Sequence, residues 1–158
     1  MPQLLSPDTT RLMRHLVATI SYRASRAFRD APAGYADVRL ADDGWCAREL
    51  VLHMTNVLAF AYATITQTDR VKHEPRDWAG EVNRFYTTLG DIDAKLAAGA
   101  SVEPGMDLKL VQGPFADVLT HVGQLVSMRR RCGSPIPATN YIKADIQTGV
   151  TALDAQPV

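Results

Sequence analysis

Cysteine is scarce: the chain has two, Cys46 and Cys132, with no CxxC or paired zinc-ribbon spacing. That excludes a disulfide-dense scaffold and a cysteine-held structural metal, and both thiols read as free. No apolar run approaches the roughly 20 residues that a membrane-spanning helix needs. Charge of one sign is lacking too, since Lys plus Arg and Asp plus Glu are 17 each, a formal net charge of +0. Without a global field, neither nucleic acid nor a membrane surface is an expected partner. There is no sustained alternation of β-branched residues bounded by hairpin turns, so no sheet is expected. The stretch Met1–Asp8 has neither a basic leader nor a long apolar segment, which makes the cytoplasm the expected compartment.

The 158 residues, 46% hydrophobic and 22% charged, fit one soluble domain spanning 1–158, with enough chain to bury a core unaided. Ser6-Pro7-Asp8 supplies a cap, a first-turn proline and a helix-dipole acid, and Leu12, Leu16, Ile20 and Ala24 then recur at helical period to about Phe28. Pro32 and Gly34 mark 30–40 as a loop. Asp42-Asp43-Gly44 caps a second helix from about Trp45 to Thr66, whose Leu50, Val57, Ala61 and Ile65 flank the face that holds His53. A polar stretch, 67–74, places His73 in a surface loop before Pro75. The third helix runs from Pro75 to Ala98-Gly99 through Trp78, Val82, Phe85, Leu89, Ile92 and Leu96, with Gly90 weakening its middle.

After a second long connection, 101–113, Pro114 opens a fourth helix. Its apolar side is Phe115, Val118, Leu119, Val122, Leu125, Val126 and Met128, and Arg129-Arg130-Arg131 complements the negative dipole end. Ser134-Pro135-Ile136-Pro137 stops it, and Asn140 to about Thr151 reads as a short fifth helix. The expected fold is all-α: an antiparallel four-helix bundle with a short C-terminal extra helix.

One residue pair carries most of the candidate chemistry. Asp117 and His121 share a face of the fourth helix, about 6 Å apart along its axis, so both can reach one metal ion. The same spacing also fits a pair that stabilises the helix by a few tenths of a kcal/mol. His53, on the second helix, reads either as a third ligand or as a hydrogen-bonded core histidine. Glu49, one turn before it, reads as a partner of a ligand, a base or a solvated carboxylate, and Asn56 is equally open. Cys46, Glu49 and His53 fall on one helical stripe, where Cys46 reads as a small buried hydrophobe. His15, beside the first stripe, reads as a packed or solvent-edge residue.

Two segments resemble a known family. Glu49-Leu50-Val51-Leu52-His53 resembles the E-L-L-x-H stretch on the second helix of the DinB superfamily, and Thr120-His121-Val122-Gly123-Gln124-Leu125 resembles its H-x-G-Q-L stretch on the fourth. Helix count and order agree over nearly the whole chain. The superfamily comprises four-helix, often metal-binding bacterial proteins that include thiol-dependent transferases. The resemblance implies ligands from three positions, usually all histidine. His53 and His121 match the first and last, while Asp117 replaces the middle imidazole with a harder, anionic oxygen donor. Two histidines and a carboxylate are still an accepted zinc set and also suit non-haem iron.

The resemblance thus implies a divalent ion, zinc or nickel first and iron or manganese next, with a low-molecular-weight thiol as co-substrate. The expected activity is metal-dependent thiol transfer or hydrolysis on a small molecule. The other class is a non-catalytic bundle, metal-binding or metal-free, with a stress-related or interaction role. A homodimer is expected, with the helix bearing Trp78, Phe85 and Tyr86 as one candidate surface and core packing as the other reading of those rings.

Overall fold

A computed structural model describes residues 1–155. Its principal helices are α1 (Pro7–Phe28), α2 (Ala47–Thr66), α3 (Trp78–Ala97) and α5 (Ala116–Arg131), with a short α4 (Met106–Leu110) ahead of the last. The helices pack as a four-membered ring, α1 on α3, α3 on α2, α2 on α5 and α5 on α1. Consecutive helices α1 and α2 therefore lie across a diagonal, as do α3 and α5, which explains two of the long connections. The fold is all-α, as expected, and no helix is long and apolar enough to cross a membrane.

The core follows the helical stripes with one shift. On α1 the buried face is Met13, Val17, Ile20, Ala24 and Ala27, while Leu12 is 61% exposed. Leu50, Met54 and Leu58 of α2, Phe85, Leu89, Ile92 and Leu96 of α3, and Val118, Val122 and Leu125 of α5 complete it. Each such side chain contributes about 1.5–3 kcal/mol on leaving water. Phe85 and Tyr86 are core residues, and Phe28 meets Trp78, Phe85 and Tyr86 edge-on at centroid separations of 5.5, 5.7 and 6.1 Å. Phe85 and Tyr86 thus pack in the core, and Trp78 lies partly buried against it.

Several local features depart from the sequence reading. Gln3–Leu4 (β1) pairs antiparallel with Ser101–Val102 (β2), a sheet too short for any alternation to announce it. Helix α4 begins at Met106, so only 101–105 of the expected connection is non-helical; it runs through a π-helical turn, Val111–Phe115, into α5. Pro114 lies inside that turn rather than at a helix start. A proline there lacks the N–H and crowds the carbonyl one turn back, and the wider π turn accommodates it. Gly90 does not break α3; a Cβ on it would come within 3.3 Å of the Thr151 hydroxyl, which makes it a point of close approach for the C-terminal segment.

The expected fifth helix is absent: 140–151 forms turns and irregular chain. A helix of that length is marginal without a core to cover, and Ile142 is 93% exposed. The segment lies instead on α1, with Arg23 stacked 3.8 Å above the Tyr141 ring and His15 Nδ1 3.0 Å from the Thr148 hydroxyl.

Two polar anchors hold the bundle ends. Arg129 is 4% exposed and donates to the carbonyls of Ala27, Arg29, Asp30 and Ser134 at 2.7–3.3 Å, tying the end of α5 to the end of α1. Asp30 has φ of 50°, a left-handed conformation that this grip helps hold. At the start of α2, the Cys46 N–H donates to Glu49 Oε2 at 2.8 Å, and Arg39 Nη1 lies 2.9 Å from the same oxygen. Glu49 is thus the third-residue half of a capping box. The Cys46 N–H, more than Arg39, holds its carboxyl below the ordinary carboxylate range.

Arg129→Met should lose about 3 kcal/mol in urea unfolding, because four carbonyls lose a charged donor in a buried site, whereas Arg130→Met and Arg131→Met should each stay within about 0.5 kcal/mol. Equal small effects at all three would contradict the anchoring role. Glu49→Ala should lose about 1 kcal/mol at neutral pH, the typical value of a cap. Since folding lowers the Glu49 pKa, that contribution is present above the unfolded carboxylate pKa of about 4.3 and vanishes as pH falls through the lower folded value. The gap between the two proteins in urea titrations should therefore close in acid; a gap unchanged at low pH would show that the charge is irrelevant.

Candidate metal centre

The capping box sets the phase of α2 and so aims His53, one turn beyond Glu49, toward α5. Trp45, just ahead of the cap, folds back over the His53 ring with centroids 4.6 Å apart and planes at 37°. On α5, which emerges from the π turn, Asp117 and His121 lie on one face. Beneath all three, Leu50 and Met54 of α2 and Val118 and Val122 of α5 are buried, so the polar cluster sits on a packed floor.

Asp117 Oδ2 is 3.3 Å from His53 Nε2 and 3.4 Å from His121 Nε2. One ligand atom from each residue lies within 4.8 Å of the others, and the group can hold a metal ion. The fit is testable by geometry, because donors about 2.0–2.1 Å from a tetrahedral ion stand about 3.3–3.4 Å apart. Both Asp117 edges already have that length. The remaining edge, between the two imidazoles, is at most 4.8 Å, so an ion would have to draw the two rings together to complete the triangle. The rings meet edge to face, with centroids 4.8 Å apart at 87°.

Gln124 completes the orientation of His121. Its amide oxygen accepts from Nδ1 at 2.7 Å, so the ring proton lies there and the Nε2 lone pair faces Asp117. Such an outer partner fixes tautomer and ring angle in metal sites. The Asp117 side chain is 44% exposed, His53 31% and His121 15%, so the cluster is open on the carboxylate side. There a cleft of about 520 Å³ begins, walled by Val57 and Phe60 of α2, Gln112 to Pro114 of the π turn, and Thr120.

The three expected ligands therefore converge, and Glu49 does not join them; its carboxylate is engaged with Cys46 and Arg39. Cys46 is buried at the helix cap, as read, and Cys132 is half-buried. Asn56 serves the connection between α2 and α3, with Oδ1 accepting the His73 N–H at 2.8 Å. His73 is half-buried rather than fully on the surface, and burial, followed by Arg84 and Arg76, lowers its pKa. Trp45 and Gln124 are participants that spacing alone did not single out. Gln124 had a signal, lying three residues after His121 on the same face; Trp45 depends on how the chain turns at the cap.

Comparison with family models, with curated proteins and with solved structures finds no match for this chain.

Proposed function

We propose that the protein is a metal-dependent enzyme of DinB type that acts on a small electrophile, by thiol transfer or hydrolysis, at an ion held by His53, Asp117 and His121. The observation that carries this reading is the convergence of three ligand-type side chains from two helices at the mouth of a cleft, with the carboxylate side open. Two neutral imidazoles and one carboxylate around a divalent ion leave a net charge of +1. An ion in such a setting supplies Lewis-acid polarisation and lowers the pKa of a water or thiol beside it.

The chain's own residues do the rest. His53, Asp117 and His121 fix the ligand geometry from two rigid helices, and Gln124 keeps the His121 Nε2 lone pair aimed inward. Trp45 covers the His53 ring and restricts water on that side. Val57, Phe60 and Pro114 give the cleft an apolar lining that suits the carbon skeleton of a small molecule. Zinc or nickel fits the nitrogen-rich set best, with iron or manganese next. The competing reading, a metal-free bundle, is favoured by the 3.3 Å contact, in which a His53 Nε2–H donates to Asp117 and links α2 to α5 without an ion.

Metal titration of chelator-treated protein separates the two readings. Zinc or nickel should bind with about one equivalent per chain, His53→Ala and His121→Ala should each lose most of it, and Gln124→Ala should weaken binding about 10-fold. Asp117→His, which supplies the set usual in the superfamily, should bind at least as tightly as the native chain. Glu49→Ala should leave affinity unchanged. Full metal retention in both histidine variants, or no binding of zinc, nickel, iron or manganese at micromolar concentration, would leave the cluster as a structural link between α2 and α5.

A further inference from the structure

The cleft beside the metal centre holds a charge that the proposed chemistry does not use. Arg70, in the connection between α2 and α3, lines the cleft that Asp117 also lines. Its Nη2 donates to the Asn56 carbonyl at 3.3 Å, and among the described residues no carboxylate pairs with it. Asn56 also accepts the His73 N–H through Oδ1 at 2.8 Å. One residue of α2 thus fastens the connection at two points and holds Arg70 at the cleft. Among the described residues Asp117 is the only other charged side chain on the lining, and the ion of the proposed metal centre would offset its charge.

We infer that this cleft is a binding site for a small organic carboxylate, whose carboxylate pairs with the Arg70 guanidinium and whose apolar body lies against Val57 and Phe60. A guanidinium presents a planar fork that matches a carboxylate with two parallel hydrogen bonds. At about 520 Å³ the cleft is of the size that small-molecule sites use. A single cation beside apolar side chains favours one negative charge on a carbon skeleton over a phosphate dianion, which calls for more donors. The inference rests on the metal reading at the Asp117 end, where a carboxylate without its ion weakens the preference for an acid but leaves the Arg70 fork in place.

The test uses 3-phenylpropanoate, its uncharged amide 3-phenylpropanamide and inorganic phosphate as probes, followed by amide chemical shifts on the full chain, once treated with chelator and once with zinc added. The acid should bind at millimolar concentration, shift the amides of Val57, Phe60 and Thr120, and exceed both the amide and phosphate by about 5-fold, the upper worth of a partly exposed ion pair. Arg70→Gln should make acid and amide bind alike, without changing the far-ultraviolet circular dichroism. Equal binding of acid and amide to the native chain, an unaltered preference in Arg70→Gln, shifts confined to other faces, or no binding of the acid would each overturn the inference. If zinc fails to bind while the acid preference persists in both preparations, the metal reading falls and the carboxylate site stands. If zinc binds and the preference is missing, only the carboxylate site falls.

Discussion

The packing of α2 against α5 governs the separation between one carboxylate oxygen and two imidazole nitrogens, and the rest of the account depends on that separation. Leu50, Met54, Val118 and Val122 are 0–3% exposed directly along this seam, so the two backbones cannot slide without opening a void. Tyr35 reinforces it: its hydroxyl donates to the Leu125 carbonyl at 2.8 Å, and its burial pushes the phenol pKa well up, keeping the donor protonated. Rigid helices hold such geometry better than loops, and errors of about 1 Å are enough to spoil a site.

The polar anchors divide between structure and function according to what competes for them. Glu49 has one oxygen committed to an N–H and a guanidinium at the helix cap, and Arg129 has its guanidinium committed to backbone carbonyls, so both serve the fold. Glu81 is likewise engaged: it is fully buried, accepting from the Arg76 N–H and from Arg84 at 2.6 Å each, and it fixes the entry to α3. Asp117 differs, being shared between two groups that each offer a lone pair or a proton, on a side open to solvent. A divalent ion that replaced those contacts would clamp α2 to α5, and by mass action it would stabilise the fold as well as build the centre.

Much of this was legible in the residues. Helical periodicity located the four main helices, because each buries a single stripe. The four-residue spacing of Asp117 and His121, with His53 on another apolar helix, located the candidate ligands. What escaped depended on contacts between distant segments. The exposed Leu12 and buried Met13 exchange roles because the ring of neighbours rotates α1 by part of a turn. Arg129 looked like one of three dipole-complementing cations, and only the approach of the α1 end distinguishes it. The π turn, the two-residue sheet and the failure of 140–151 to form a helix likewise reflect local strain or missing core. Arg70 sits in an unpatterned loop, and its place at the cleft follows from Asn56, whose two acceptors no periodicity reveals.

The most direct test of the central claim is X-ray absorption at the zinc edge of the loaded native protein. Two imidazole ligands are expected, with the remaining donors oxygen, at about 2.0–2.2 Å, and no sulfur. Scattering from sulfur at about 2.3 Å, or a shell without imidazole, would place the ion elsewhere and contradict a centre built from His53, Asp117 and His121.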